Sequence, residues 1–226
     1  MIRLSIVIPT MNEEKSIGQV IDTIRAHLSD SLNCEILIVD TSSKDRTREI
    51  ALSKGARIVD EPRRGYGRAY KTGFEAAAGE IIATLDADMT YPAEMIDTLV
   101  KMLKAEGLEF ITTNRFANMK PGAMSATHRF GNKLLSMATR LLFRVRIEDS
   151  QSGMWIFRRE ILPKLNLTSD GMSFSEELKI EAFKKARAKE IPISYSPRVG
   201  EVKLNTWKDG WSNLRFLLKK RFLMRN

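Results

Sequence analysis

Cysteine, long apolar runs and, over one stretch, acidic residues are scarce in this sequence. The single cysteine, Cys34, cannot form a disulfide within the chain, so nothing indicates an oxidising compartment. No apolar run reaches the roughly 18 residues that a transmembrane helix needs. The first residues have the pattern of a strand and not of a signal peptide. We therefore expect a cytoplasmic protein without a membrane span.

Acidic residues are absent between Glu109 and Glu148, a stretch that holds seven Lys and Arg residues. Over the whole chain, 37 basic residues exceed 28 acidic residues, which gives a formal net charge of +9. A positive excess of this size favours an anionic partner, which can be a nucleotide, a phosphate, a nucleic acid or a membrane surface. The 226 residues, 43% of them hydrophobic, can bury one substantial core, so a single domain is expected.

The most informative stretch is an apolar run that ends in two carboxylates, Asp86 and Asp88, one residue apart. In an open α/β sheet, ligands bind at the carboxyl edge, and two acids there repel each other unless positive charge lies between them. Such oxygen ligands suit Mg²⁺ or Mn²⁺, which complete their coordination with water and substrate phosphates. The alternative is a strand-end turn followed by a helix cap, which an isolated Asp-x-Asp fits equally well.

Strand patterns alternate with helix patterns through the first half of the chain. The predicted strands cover residues 4–8, 35–40, 57–59, 81–85 and 110–113. This alternation predicts an α/β fold with a mostly parallel central sheet and helices on both faces, and a mixed sheet edge from the second half. Parallel strands bring their polar ends to one edge, where Asp40 could accept hydrogen bonds from a base or ribose. Gly65 and Gly67 could let a ligand approach the backbone closely.

Four segments in this half resemble inverting family 2 glycosyltransferases of GT-A fold, in order and in spacing. They are residues 8–13 (IPTMNE), 39–45 (VDTSSKD), 65–70 (GYGRAY) and 85–88 (LDAD). The second half is similar to dolichyl-phosphate mannose synthases and related polyprenyl-phosphate sugar transferases. Its matching positions are 149–153 (DSQSG), 157–159 (FRR), 190–193 (EIPI), Tyr195, Arg198 and 200–204 (GEVKL). The resemblance covers nearly the whole chain.

The resemblance implies transfer of a sugar from a nucleoside diphosphate to a polyprenyl phosphate, and it implies a set of site residues. A divalent metal, Mg²⁺ or Mn²⁺, would be bound by Asp86 and Asp88. The donor would contact these acids and Pro9, Thr10, Asn12, Glu13, Asp40, Gly67 and Arg115. The acceptor phosphate would be bound by Arg129, Asn132, Lys133, Arg198 and Lys203. The residues with a direct part in transfer would be Asp86, Asp88, Arg115 and Arg198.

The chain departs from this pattern in the segment 86–91, called the acidic loop below. Mannose-type relatives usually have Gln and His where this chain has Thr90 and Tyr91. This chain therefore lacks the Gln that would make a metal or donor contact in those relatives. Val202 replaces the Ser that commonly precedes the late Lys. Glu177 matches an acid of the family that either touches a sugar hydroxyl or braces a helix. These differences bear on the choice of sugar more than on the reaction.

Two basic amphipathic segments suggest a membrane surface. One covers residues 130–143, and the other follows Trp211 in a tail of residues 205–226. Apolar residues that alternate with Lys and Arg suit the headgroup region of an anionic membrane, although a helix packed on the sheet has a similar pattern. We expect a donor half at 1–114, an acceptor half at 115–204 and a peripheral attachment to the cytoplasmic face of a membrane through the tail.

Four hypotheses remain open from the sequence. The favoured one is transfer of mannose from GDP-mannose to dolichyl phosphate, and the second uses a UDP-sugar such as UDP-glucose or UDP-GlcNAc. A third is a nucleic-acid-binding protein, but the chain has no recognisable recognition module, so no nucleic acid is expected. The last is an inert scaffold at a membrane surface, which the retained Asp86 and Asp88 argue against.

Overall fold

The computed structural model describes residues 3–29, 32–200 and 206–223, without the side chains of 206–208. Within these residues, seven strands form one sheet and seven α-helices surround it. The strands are β1 (Leu4–Thr10), β2 (Cys34–Asp40), β3 (Arg57–Asp60), β4 (Ile81–Thr84), β5 (Phe110–Met119), β6 (Trp155–Arg158) and β7 (Ala188–Tyr195). The helices are α1 (Ile17–His27), α2 (Thr47–Ser53), α3 (Tyr66–Ala76), α4 (Ile96–Ala105), α5 (Ala126–Phe143), α6 (Phe174–Lys185) and α7 (Thr206–Phe222).

The strand order is β3-β2-β1-β4-β6-β5-β7, and most neighbouring strands are parallel. Strand β6 is antiparallel to both of its neighbours, β4 and β5. The predicted mostly parallel sheet is confirmed. The mixed pairing does come from the second half of the chain, but it lies inside the sheet and not at its edge, because β6 inserts between β4 and β5.

Both faces of the sheet are covered, as predicted. Along β1, Ile6 and Ile8 belong to the apolar cluster that includes α1 and α4, whereas Val7 belongs to the cluster that includes α3 and α6. Successive strand residues point to opposite faces, so a continuous apolar run is what a strand buried on both sides requires. The carboxyl ends of β1, β2 and β4 lie side by side at one edge of the sheet.

Helix α7 packs against α5 and α6 and thereby belongs to the folded body. Leu217 is fully buried in a third apolar cluster with Leu135 of α5 and Ile180 of α6. On the same helix, the buried Lys220 ammonium contacts Glu177 at 3.1 Å and Glu181 at 2.9 Å. None of the helices in the described ranges combines the length and the apolar character that a membrane span requires.

Candidate active site

A cleft of about 1180 Å³ opens at the carboxyl ends of the parallel strands. Pro9 and Thr10, at the end of β1, form one part of its wall, and Asp86 and Asp88, just after β4, form another. The opposite wall is helical, with Asn132 from α5 and further residues from α7. The sheet topology predicts a ligand site at this edge, and the cleft lies there.

Asp86 and Asp88 have different surroundings within the cleft. The Oδ1 atom of Asp88 accepts hydrogen bonds from the Thr90 backbone N–H at 3.1 Å and from its hydroxyl at 2.6 Å. Asp86 receives a long contact of 3.5 Å from the Tyr70 hydroxyl. Burial and then the negative charge of Asp88 raise the pKa of Asp86 to about 7. Like charges held together in this way favour a cation between them.

These two carboxylates fit a divalent ion that keeps part of its coordination for other ligands. Asp86 makes few internal hydrogen bonds, so its oxygen lone pairs are available. No cluster of three or more His, Cys, Asp or Glu side chains with metal-ligand geometry occurs in the described part of the chain. Mg²⁺ and Mn²⁺ need only one or two protein carboxylates when water and substrate phosphates supply the remaining oxygens. The donor set therefore suits either ion.

Arg115 lies in the cleft wall, and a buried partner fixes its orientation. Its guanidinium makes a two-point contact with Asp149, from Nε at 2.7 Å and from the terminal nitrogen at 2.9 Å. The Arg115 backbone N–H donates to the same carboxylate. Although burial favours the neutral acid, the charge of Arg115 lowers the pKa of Asp149 below its usual value. Arg115 is thus held as a fixed positive charge beside the cleft.

Arg198, from the segment after β7, lies between two acids of the donor side. One terminal nitrogen is 3.0 Å from Glu13 Oε1, and the other is 3.4 Å from Asp88 Oδ2. The backbone of this segment is tied to the acidic loop, because Ser196 N–H donates to Thr90 and Val199 N–H donates to Asp88. The structure therefore brings together three predicted residues, Glu13, Asp88 and Arg198, from distant parts of the sequence.

Three residues predicted to bind the donor make contacts within the protein, and their part in donor binding stays a prediction. Asp40 has a fully buried side chain that accepts hydrogen bonds from Thr10 and Ser43, so it braces the strand ends and does not face the cleft. The Asn12 side chain accepts from the Lys44 backbone N–H. Gly67 packs on the start of α6, where an added Cβ would lie 2.6 Å from Phe174 Cβ. Its missing side chain permits close packing between α3 and α6.

On the acceptor side, one predicted residue of α5 lines the cleft and two do not. Asn132 is buried in the cleft wall. Arg129 and Lys133 are exposed and lie outside the lining, and the Lys133 ammonium is 5.9 Å from the Phe116 ring centroid. Neighbouring residues on an α-helix point about 100° apart, so the inward position of Asn132 turns Lys133 outward. Lys203 falls outside the described residues.

Thr90 and Tyr91, which depart from the family pattern, support the acidic loop. Thr90 is the hydrogen-bond donor to Asp88 described above. The Tyr91 hydroxyl accepts a 2.6 Å hydrogen bond from the Gly153 backbone N–H, and its ring packs edge-on against Tyr195. Glu177 is fully buried, and it accepts from the backbone N–H groups of the 168–169 turn as well as from α7. It braces a helix and does not touch the cleft.

Several residues of the cleft received no role from the sequence. Among the polar ones are Arg64, His128, Gln151, Asp209 and Asn213. Gln151 belongs to the segment that resembles the family, and its side chain joins Glu176 of α6 to Asn213 of α7 through hydrogen bonds of 2.8 and 3.0 Å. Arg64 lies just before α3. His128 of α5 and Asp209 and Asn213 of α7 have no pattern signal, because their approach to the cleft depends on how α5 and α7 pack together.

Comparison with known proteins finds relatives that match nearly the whole chain. The hexosyltransferase Agl6 of low-salt glycan biosynthesis in Haloferax volcanii is 38% identical over 218 residues, covering 95% of this chain and 53% of that protein. The chain thus spans about half the length of that relative. A dolichyl-phosphate hexose transferase of the same organism is 32% identical over 209 residues, which cover 92% of this chain and 89% of that protein. A dolichol-phosphate mannosyltransferase of Pyrococcus furiosus is 28% identical, with coverages of 89% and 59%.

Among solved structures, glucosyl-3-phosphoglycerate synthase from Mycobacterium tuberculosis superimposes with a TM-score of 0.77 at 22% sequence identity. The match covers 97% of this chain and 79% of that one, whose crystals contained Mn²⁺, UDP and glucosyl-3-phosphoglycerate. At this identity the likeness establishes the GT-A fold. The family model for glycosyl transferase family 2 matches residues 5–165. Because that match spans most of the chain, and because relatives above 30% identity match it nearly end to end, the protein belongs to glycosyl transferase family 2.

Proposed function

We propose that this family 2 glycosyltransferase moves mannose from GDP-mannose to the phosphate of a polyprenol, with inversion at the sugar carbon. The observation that carries the proposal is the meeting of Asp86, Asp88, Arg115 and Arg198 around one cleft, next to a helical wall that exposes apolar side chains. Relatives named dolichyl-phosphate hexose transferase and dolichol-phosphate mannosyltransferase support a lipid phosphate as acceptor. A charged donor and a lipid acceptor need these two kinds of surface side by side.

On the donor side, Asp86 and Asp88 would hold Mg²⁺ or Mn²⁺, as the Mn²⁺ and Mg²⁺ complexes of the structural neighbours support. When bound, the ion neutralises negative charge on the diphosphate leaving group. Arg115 adds a fixed positive charge whose orientation Asp149 maintains. A charge held in place before the reaction needs little reorganisation when the glycosidic bond breaks.

The reaction is a displacement at the anomeric carbon of the donor sugar. A lone pair on an acceptor phosphate oxygen forms the new bond, and the electrons of the old carbon–oxygen bond leave with the nucleoside diphosphate. Attack from the face opposite the leaving group inverts the configuration. Because the acceptor phosphate is already anionic near neutral pH, the site must position it and does not need a base to remove a proton. We assign this positioning to Arg198 and Asn132, with Lys203 as a further candidate.

A UDP-sugar is the second candidate donor, and specific observations favour it. The structural neighbour binds UDP, and a further complex of it contains UDP-glucose. In this chain, Thr90 and Tyr91 stand where mannose-type relatives usually have Gln and His, and both are engaged in support of the loop. The reaction and the acceptor remain the same for either donor.

A thermal-shift titration with GDP, GDP-mannose, UDP and UDP-glucose, each with and without Mn²⁺, tests the donor. A ligand at about 100 times its Kd stabilises the folded state by about 2.7 kcal/mol, which corresponds to a rise in Tm of about 5 to 10 °C for a chain of this size. We expect the rise with the guanosine ligands, and we expect a chelator to remove it. Transfer of labelled mannose to dolichyl phosphate then tests the reaction.

A rise confined to the uridine ligands would replace the donor and keep the reaction. If no nucleotide raised the Tm in the presence of either Mn²⁺ or Mg²⁺, the proposed function would be wrong. Magnesium chloride without nucleotide is the control for an effect of the ion on the protein surface.

We also propose that α5 and α7 attach the enzyme to the cytoplasmic face of an anionic membrane. Phe130, Leu134, Met137 and Leu141 form one exposed stripe on α5, and Trp211, Leu218 and Phe222 form another on α7. Exposed basic residues flank both stripes, among them Arg140, Arg144, Arg215 and Lys219. In this arrangement the 1–114 half binds the donor, the 115–204 half faces the acceptor, and the 205–226 tail contacts the membrane, all within one domain.

We expect the protein to co-sediment with vesicles that contain phosphatidylglycerol, and we expect binding to weaken as salt is raised, because surface charges are screened. The double change Phe130→Ser with Leu141→Ser should reduce binding about tenfold or more, since each side chain contributes buried apolar area at the interface. Leu52→Ser, which alters an exposed leucine on α2, is the matched control. Vesicle binding that both variants leave unchanged would contradict the assignment of this surface.

A further inference from the structure

The position of Arg198 relative to the acidic loop has a consequence for metal binding. Asp88 has one carboxylate oxygen, Oδ1, occupied by the Thr90 N–H and hydroxyl groups. The other oxygen, Oδ2, faces the Arg198 guanidinium at 3.4 Å. A divalent ion at Asp88 would therefore have to use the oxygen that Arg198 already contacts, because Thr90 holds the first one.

The second contact of Arg198 strengthens its hold on this position. Its other terminal nitrogen is 3.0 Å from Glu13 Oε1, so the guanidinium bridges two acids that are 75 positions apart in the sequence. The Nε atom is buried and has no hydrogen-bond partner among the described residues. A guanidinium with an unused donor can still gain a hydrogen bond by moving to an anion that it contacts at two points, as two oxygens of a diphosphate allow.

The backbone permits such a movement without unfolding the segment. Ser196 N–H donates to the Thr90 carbonyl at 3.0 Å, and Val199 N–H donates to the Asp88 carbonyl at 2.9 Å. These bonds fix the main chain on both sides of Arg198 against the acidic loop. The long side chain, about a quarter exposed, extends from a fixed base. It can turn away from Glu13 and Asp88 towards a diphosphate in the cleft while its main chain stays in place.

We infer that Arg198 and the divalent ion compete for the Asp88 carboxylate, and that a nucleoside diphosphate relieves the competition by drawing Arg198 onto its phosphates. The inference rests on the proposed function, since it assumes a metal at Asp86 and Asp88. Two cations cannot share one carboxylate oxygen without strong repulsion. With Arg198 on the acids, the ion binds weakly; with Arg198 on the diphosphate, the ion binds tightly. Reciprocity then requires that the ion strengthens nucleotide binding by the same factor.

This arrangement couples the binding of the ion strongly to the binding of the nucleotide. The ion alone must displace a tethered guanidinium, whereas the ion and the diphosphate together give every charged group a partner. Arg198 thus has a role in metal affinity and donor capture, in addition to its proposed contact with the acceptor phosphate. The enzyme would retain little metal when no nucleotide is present.

The test is a titration of the purified full chain with Mn²⁺, in which electron paramagnetic resonance measures free Mn²⁺ without any turnover. In the absence of nucleotide, Arg198→Gln should bind Mn²⁺ about tenfold more tightly than the wild type, within the usual range of coupling between sites. Addition of GDP or UDP should tighten Mn²⁺ binding about tenfold or more in the wild type and by a much smaller factor in Arg198→Gln. Arg198→Lys keeps the charge but cannot bridge both acids. Its Mn²⁺ affinity should lie between those of the wild type and Arg198→Gln.

Arg64→Gln is the matched control, because it removes the same charge from an exposed position of the cleft lining. It should change the Mn²⁺ affinity by about twofold at most, through long-range electrostatics alone. Far-ultraviolet circular dichroism and Tm values establish that each variant is folded.

Equal or weaker Mn²⁺ binding by folded Arg198→Gln, with nucleotide binding intact in the wild type, would overturn the inference and leave the proposed function standing. A tenfold gain in Arg64→Gln equal to that in Arg198→Gln would also overturn it, because general charge would then explain the effect. If the wild type bound no Mn²⁺ with either nucleotide, both the inference and the proposed function would fail.

Discussion

Replacement of Asp88 by Asn should abolish sugar transfer and leave the protein folded. Asn keeps an Oδ1 acceptor for the two hydrogen bonds from Thr90, so the acidic loop retains its local support. What is lost is the charge of the second oxygen, which faces the cleft cations. Loss of one such electrostatic group typically lowers kcat by about 10²–10³-fold, and loss of the metal as well lowers it further. Initial rates of transfer to dolichyl phosphate measure the effect.

Asp22→Asn is the control, because Asp22 is exposed on α1 and pairs with Lys54 at the protein surface. Its activity should equal that of the wild type. The free energy of unfolding of Asp88→Asn should remain within about 1 kcal/mol of the wild type, since relief of repulsion from Asp86 offsets the lost contact with Arg198. Full metal-dependent turnover by Asp88→Asn would refute the role that we give this carboxylate.

The second large effect concerns stability. Asp149→Asn should lower the free energy of unfolding by about 3 kcal/mol or more, because it leaves the buried Arg115 charge without its partner. For a chain of this length, that loss corresponds to a fall in Tm of about 6 to 12 °C. Urea denaturation followed by circular dichroism measures it. Activity should fall as well, because Arg115 loses the carboxylate that orients it beside the cleft.

A double variant separates the structural and functional parts of this effect. Arg115→Met with Asp149→Leu replaces the buried pair by apolar side chains, a change that is often neutral or stabilising. It should recover most of the stability that Asp149→Asn loses and recover none of the activity. Glu106→Gln breaks the exposed pair with Lys189 and should cost less than about 1 kcal/mol. A fully stable Asp149→Asn enzyme would mean that Arg115 finds another partner.

Most of the fold could be predicted because the sequence repeats one local pattern. The apolar runs that become β1, β2 and β4 are each followed by a helical spacing, and a parallel sheet is the only arrangement that buries both. Strands β6 and β7 are absent from the predicted set, and the four residues of β6 carry too little periodicity to indicate direction. Its antiparallel pairing with β4 and β5 follows from where the chain returns to the sheet.

The site could be predicted only in part. Asp86 and Asp88 follow a strand directly, so their place at the sheet edge follows from local sequence. Asp40 follows a strand in the same way, yet its carboxylate turns inward to Thr10 and Ser43. Local sequence indicates that a polar residue ends a strand, but the packing around it decides whether the side chain meets a ligand or the protein.

By itself the sequence determined the reaction class, the strand ends that carry acids and the basic apolar character of α5 and α7. The reaction class follows from the resemblance of its motifs to family 2 glycosyltransferases. The other two properties depend on short-range pattern and on composition, which need no knowledge of distant contacts. The tertiary structure alone decided that Arg198 bridges Glu13 and Asp88, that Lys220 holds α7 against α6, and that Asn132 and not Lys133 lines the cleft. Each of these contacts joins segments or faces whose relative position depends on side-chain packing across the whole domain, and no local pattern encodes it.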